Sequence, residues 1–132
     1  MLSATMALMN QCAILGIHHV QLALPAEGES EARRFYADLL GIPEVPKPPD
    51  LAKRGGAWFE TANVRIHLGV ELNFAPARKA HPGLLVTELK VLSLRLTNGG
   101  YEVTEAEPLE GYLHIYVNDP FGNRLELLQA LL

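Results

Sequence analysis

Five histidines stand at positions 18, 19, 67, 81 and 114, and four of them fall in or beside β-prone segments. The chain divides into two halves that repeat one order of elements, and this repetition sets His19 against His81 and His67 against Glu126. Imidazole nitrogen and carboxylate oxygen are the donors that a borderline divalent ion such as Zn, Ni, Co, Mn or Fe accepts. A single strand histidine is ordinarily a packing or surface residue. Two pairs of ligand-type side chains at equivalent places point instead to one metal site, converged by pseudo-twofold packing of the halves.

Strand alternation adds neighbours to these donors. It puts Gln21 on the face of His19, Arg65 on the face of His67, Arg124 on the face of Glu126, and Tyr116 beside His114. The arginines suit either an anionic substrate group or an ion pair with a glutamate such as Glu71 or Glu102. His18, one residue out of phase, is expected on the opposite face with no chemistry. His114 is assigned to packing, Trp58 and Phe59 to the wall and core of one sheet, and Arg78-Lys79 to a solvated loop.

The elements that hold these residues follow from periodicity. Residues 17–24, IHHVQLAL, read as a strand closed by Pro25. Ser30 is placed to cap a helix with Ala32, Phe35, Tyr36, Leu39 and Leu40 on one face and Gly41 as its stop. After a proline-rich loop and a short strand at Glu44 and Val45, AWFET and VRIHLGVE form a hairpin around Ala62-Asn63. The second half offers a strand at 83–86, a helix over about 88–98 with Leu89, Leu92 and Leu96 on one side, and then YEVTE, LHIYVN, the turn DPFGN and RLELLQ. The spacing predicts an α+β fold of two βαβββ modules with cup-shaped sheets and outer helices, module one over about 16–75 and module two over about 80–130. Residues 1–15 read as an N-terminal appendage to a single domain at 16–132.

Composition narrows the function. The chain has 132 residues, 48% of them hydrophobic, so it buries a core without needing a structural metal. Eleven Lys and Arg against 15 Asp and Glu give a net charge of −4, without the basic surface that nucleic acid requires. A lone Cys12 fits a reducing, cytoplasmic setting, and no segment has the length and apolarity of a membrane span. Dinucleotide fingerprints, phosphate-cradling loops and nucleophile elbows are missing from the sequence.

The motif DPFGNRLEL at 119–127, the opening IHHVQL and AHPGLLV at 80–86 together resemble the vicinal-oxygen-chelate superfamily over about residues 16–129. That superfamily includes glyoxalase I, fosfomycin-resistance enzymes, extradiol dioxygenases and bleomycin-binding proteins. The resemblance implies metal ligands at His19, His81 and Glu126. RIHL puts His67 where glyoxalase I carries a Glu, which leaves it open as a fourth ligand, a general base or a group behind the ligands. Catalysis falls to His67 and Glu126, and substrate contact to Gln21, Arg65, Tyr116 and Arg124. The expected function is metalloenzyme chemistry of the lyase, isomerase or thiol-transfer kind on a small molecule with two neighbouring oxygens. The rival is a metal-free drug-binding protein of the bleomycin-resistance type. Two-module relatives commonly pair modules between chains, so a homodimer is expected, with His19 and His67 from one chain and His81 and Glu126 from the other.

Overall fold

The computed structural model describes residues 3–132, so the first two positions of the N-terminal stretch lie outside the described residues. A short helix α1 (Ala4–Met9) begins at Ser3, whose hydroxyl accepts from the Met6 amide, and none of its residues is buried. Module one then runs β1 (Val20–Leu24), α2 (Glu29–Ala32) continuing directly as π-helical turns Arg33–Leu39, β2 (Glu44–Val45), the one-turn helix α3 (Pro49–Ala52), β3 (Ala57–Glu60) and β4 (Arg65–Val70). Module two runs β5 (Gly83–Leu85), α4 (Leu89–Asn98), β6 (Val103–Glu105), β7 (Tyr112–Asn118) and β8 (Arg124–Ala130).

The sheets are ordered β1-β4-β3-β2 and β5-β8-β7-β6, with β1 parallel to β4, β5 parallel to β8, and every other pair antiparallel. The same permutation appears twice, as a duplicated βαβββ unit requires. Among the described residues no helix is long and apolar enough to cross a membrane.

Alternation sorts each strand into two faces. Leu24, Ala57, Phe59, Ile66 and Leu68 of the first sheet are buried against the helix carrying Phe35 and Tyr36, and Ile115, Val117, Leu125 and Leu127 of the second are buried with Leu89, Leu92 and Leu96 of α4. All belong to one apolar cluster spanning both modules. Each large side chain fully buried in this way contributes roughly 1.5–3 kcal/mol.

Long-range contacts shift the helix limits from the sequence expectation. The first helix starts at Glu29 with Gly28, not Ser30, at its N-cap. The Phe121 ring from module two lies so close that a Cβ on Gly28 would meet its Cε1 at 2.8 Å. The helix widens at its end, where Leu40 N donates to Phe35 O, so the consecutive Phe35 and Tyr36 are both buried while Leu39 and Leu40 stay half-exposed. Gly41 stops it at φ 78°, a value that favours glycine. In module two the Gln129 side chain accepts from Leu89 N at 2.7 Å and so ties the start of α4 to β8.

The modules are joined by polar groups inside this apolar seam. Tyr36 Oη donates to Asp119 Oδ2 at 2.7 Å, and Asn123 Nδ2 donates to Ala23 O at 2.8 Å and to Asp119 Oδ2 at 2.9 Å. Asp119 Oδ1 accepts from the amides of Phe121 and Asn123, which closes the DPFGN turn. Burial raises the Asp119 carboxyl above its usual range, opposed by the hydrogen bonds from Tyr36, Asn123 and the two amides. Burial and the neighbouring Asp119 raise the Tyr36 hydroxyl well above 10.0.

Tyr36→Phe should cost about 1–3 kcal/mol in urea unfolding, because it removes a buried hydrogen bond between the modules; an unchanged midpoint would contradict that role. The Asp119 shift adds a pH signature. A raised folded-state value means that the folded chain holds this proton more tightly than the unfolded chain. The resulting stability is complete below the ordinary value of about 4 and is lost as pH rises through the raised value. Asp119→Asn should therefore gain on wild type as pH climbs above the ordinary carboxylate value of about 4, and a pH-independent difference would count against the shift.

Candidate functional site

The face of the first sheet turned away from the helices carries a closed polar ring. The register places Gln21 and Trp58 on either side of His67, and Glu60 opposite Arg65. The His67 imidazole stacks on Trp58 at 4.0 Å and 5°, and on His19 at 4.3 Å and 17°. Two rings that close cannot share one face, so His67 is sandwiched between them and is only 4% exposed. Its Nε2 lies 2.7 Å from Glu60 Oε2, whose other oxygen is 3.7 Å from Arg65 Nε. Arg65 Nη1 donates to His18 O, and His18 Nδ1 meets His19 Nδ1 at 2.9 Å, which completes the ring. Gln21 lies over Gly69, where a Cβ would come within 2.6 Å of its Nε2.

The corresponding face of the second sheet is built around Glu126. The register sets Glu126 between Gly83 of β5 and Tyr116 of β7. Its Oε1 lies 3.0 Å from His81 Nε2 and its Oε2 lies 3.0 Å from His114 Nδ1. His81 Nδ1 is 2.8 Å from the Lys79 carbonyl, and His114 Nε2 bonds the Glu107 carbonyl. Carbonyl oxygens only accept, so the nitrogens facing them carry the protons. A neutral His81 ring then turns a lone pair toward a carboxylate oxygen, and such a contact requires a proton or a metal cation between the two atoms. Tyr116 stands edge-on to His81 at 5.5 Å, and the Arg124 guanidinium lies over the Tyr116 ring at 5.4 Å.

Strand alternation puts Arg65 on the face of His67, and Tyr116 and Arg124 on the face of Glu126, while Gln21 stands beside His67 in the register. Three expectations are corrected. His18 is not turned away from His19, because β1 begins only at Val20 and the preceding backbone does not alternate as a strand. Arg65 pairs with Glu60, its cross-strand neighbour, instead of Glu71 or Glu102. His114 does more than pack, since both its nitrogens are engaged. Within one chain the four donors stay apart: among the described residues no three His, Cys, Asp or Glu are grouped to hold an ion. The modules join through their helical sides and the DPFGN turn, which leaves His19 with His67 and His81 with Glu126 as two separate pairs.

Glu60 and His114 were the residues missed. An opposite-charge pair facing across a tight hairpin could have revealed Glu60. Counting back from the DPFGN turn puts Tyr116 opposite Glu126 and His114 diagonal to it. A cavity of about 920 Å³ lies on the helical side of the second sheet, between Leu94 and Thr97 of α4, Val103, Leu109 and Ile115, and touches the Glu126 cluster through His114.

Glu60→Ala should destabilise the fold by about 1–3 kcal/mol, because it leaves the buried His67 nitrogen without its acceptor. Thermal unfolding of the variant against wild type measures this, and equal midpoints would show that the pair carries no weight.

The chain matches the model of the Glyoxalase/Bleomycin resistance protein/Dioxygenase superfamily over residues 16–127. No curated protein matches it. Among solved structures it is similar to a glyoxalase family protein from Bacillus anthracis, with 44% identity, 91% of this chain and 98% of that chain covered, and a TM-score of 0.86. The fosfomycin resistance protein FosX from Listeria monocytogenes shares the fold at 18% identity, with 91% and 97% covered and a TM-score of 0.72. The antibiotic binding protein TnmS3 from Streptomyces sp. CB03234 does so at 18% identity, with 90% and 100% covered and a TM-score of 0.68. The repeated strand order, the DPFGN turn and the match over both modules lead to one conclusion: the chain belongs to the Glyoxalase/Bleomycin resistance protein/Dioxygenase superfamily.

Proposed function

We propose that the chain is a divalent-metal-dependent enzyme acting on a small oxygenated substrate, with lyase, isomerase or thiol-transfer chemistry, and that a homodimer completes its site. The observation that carries this reading is the His81–Glu126 pair. One nitrogen of His81 is fixed by the Lys79 carbonyl, and the other shares a 3.0 Å gap with a carboxylate oxygen. Metal-binding histidines are held in this way, with the second nitrogen donating to a backbone carbonyl or a carboxylate.

His19 has the same character, since His18 engages its Nδ1 and leaves Nε2 for the ion. His67 does not. Its ring runs within 17° of parallel to His19, so their in-plane lone pairs do not meet at one point, and Glu60 takes its Nε2. We therefore assign His19, His81 and Glu126 as ligands and His67 as the support that holds His19 in place. When bound, the ion supplies Lewis-acid polarisation of substrate oxygen.

Glu126 takes the proton-transfer role, because each of its oxygens is within 3.0 Å of an imidazole nitrogen. Arg124 serves as the anchor for an anionic substrate group, since no carboxylate among the described residues forms an ion pair with it, whereas Glu60 neutralises Arg65. Tyr116 lies under the Arg124 guanidinium, and Gln21, beside His67, is on the first-module face that the dimer would bring to it.

The dimer is supported by two features. The strands β1 and β5, which follow His19 and His81, are both open sheet edges. Ile14, Leu15 and Ile17, just before β1, are 85–98% exposed. In the dimer, His19 of one protomer meets the partner's His81 and the partner's Glu126.

The test mixes His19→Ala and Glu126→Ala, each expected to lose bound metal alone. Random subunit exchange makes half the dimers mixed, each with one intact site, so about a quarter of wild-type metal content should return. No recovery despite verified exchange would place the site within one chain. Wild-type protein without metal, after purification free of chelator, would favour a metal-free binding protein.

A further inference from the structure

We propose that His114 is the positioning residue for Glu126, fixing the carboxylate so that Oε1 alone is presented on the His81 side. This rests on the metal-site reading above and extends it to a residue outside the ligand set.

The terminal torsion of a glutamate is broad, so an unsupported carboxylate samples many orientations. Here both nitrogens of His114 face acceptors, so the ring carries a proton on each: Nδ1 donates to Oε2 at 3.0 Å, and Nε2 donates to the Glu107 carbonyl, which anchors the ring. The His114 side chain is only 10% exposed, so water competes weakly for the contact. With Oε2 engaged, the carboxylate plane is set and Oε1 faces His81 Nε2. A third group bounds the arrangement: Tyr116, opposite Glu126 in the register, lies edge-on to both imidazoles, at 5.5 Å from His81 and 6.3 Å from His114.

Module one provides an internal comparison. Trp58 opposes His67 as Tyr116 opposes Glu126, so the counterpart of His114, two residues earlier in the strand, is Gly56. A Cβ there would lie 2.1 Å from Leu68 O, so this position in module one cannot carry a side chain at all. In module one, Glu60 supports the equivalent ligand-type residue, His67, from the other side. The His114 support is therefore particular to the module that carries the carboxylate, where a flexible acid needs orienting more than a stacked ring does.

Cobalt(II) titration of the metal-free protein, followed by visible absorption, tests this role. His114→Leu should weaken Co(II) binding by about 10–100-fold and change the shape of the absorption bands, because Glu126 is freed to rotate. His114→Asn puts an amide nitrogen where Nδ1 stood, and it should stay within about threefold of wild type with the wild-type bands. Thermal midpoints of the metal-free variants establish that both are folded. Wild-type binding with an unchanged affinity in His114→Leu would overturn the positioning role, as would an Asn variant as weak as the Leu variant. Failure of wild-type protein to bind Co(II) would instead overturn the metal reading itself.

Discussion

Burial of the helix-facing side of both sheets in one shared core is the constraint on which the remaining structure depends. Because side chains alternate along a strand, placing Ile66, Leu68, Leu125 and Leu127 in the core turns Arg65, His67, Arg124 and Glu126 to the other face. The Tyr36–Asp119 bond and the Asn123 amide then lock the modules together through the buried side. The polar faces are left open, one carrying stacked rings and the other a carboxylate between two imidazoles.

The two faces hold their histidines by different physics. On the first, stacking does most of the orienting: His67 is sandwiched between Trp58 and His19, and Glu60 and Arg65 close the circuit through the His18 carbonyl. On the second, hydrogen bonds donated to backbone carbonyls set which nitrogen of each imidazole faces Glu126. Orientation of this kind is what metal ligands need before the ion arrives, since a preset ring loses less freedom on binding.

Much of this was readable from local pattern. Period-two alternation in VRIHL and RLELL and the DPFGN turn are properties of a few adjacent residues, and they carried the strand faces and the candidate donors. What escaped was set by distant partners. Gly28 displaces Ser30 at the helix start because Phe121 approaches from 93 positions away in the chain. His18 reaches His19 because the strand begins at Val20, three residues later than β-propensity suggests. His114 gains its place from Glu107 and Glu126, which no local motif encodes.

Anomalous diffraction from crystals grown with Co(II) tests the central claim most directly. The account predicts one anomalous peak per chain, held by His19 of one protomer together with the partner's His81 and the partner's Glu126, while His67 remains stacked away from the ion. A peak ligated by residues of a single chain, or a metal bound through His67 with Glu126 unengaged, would contradict it.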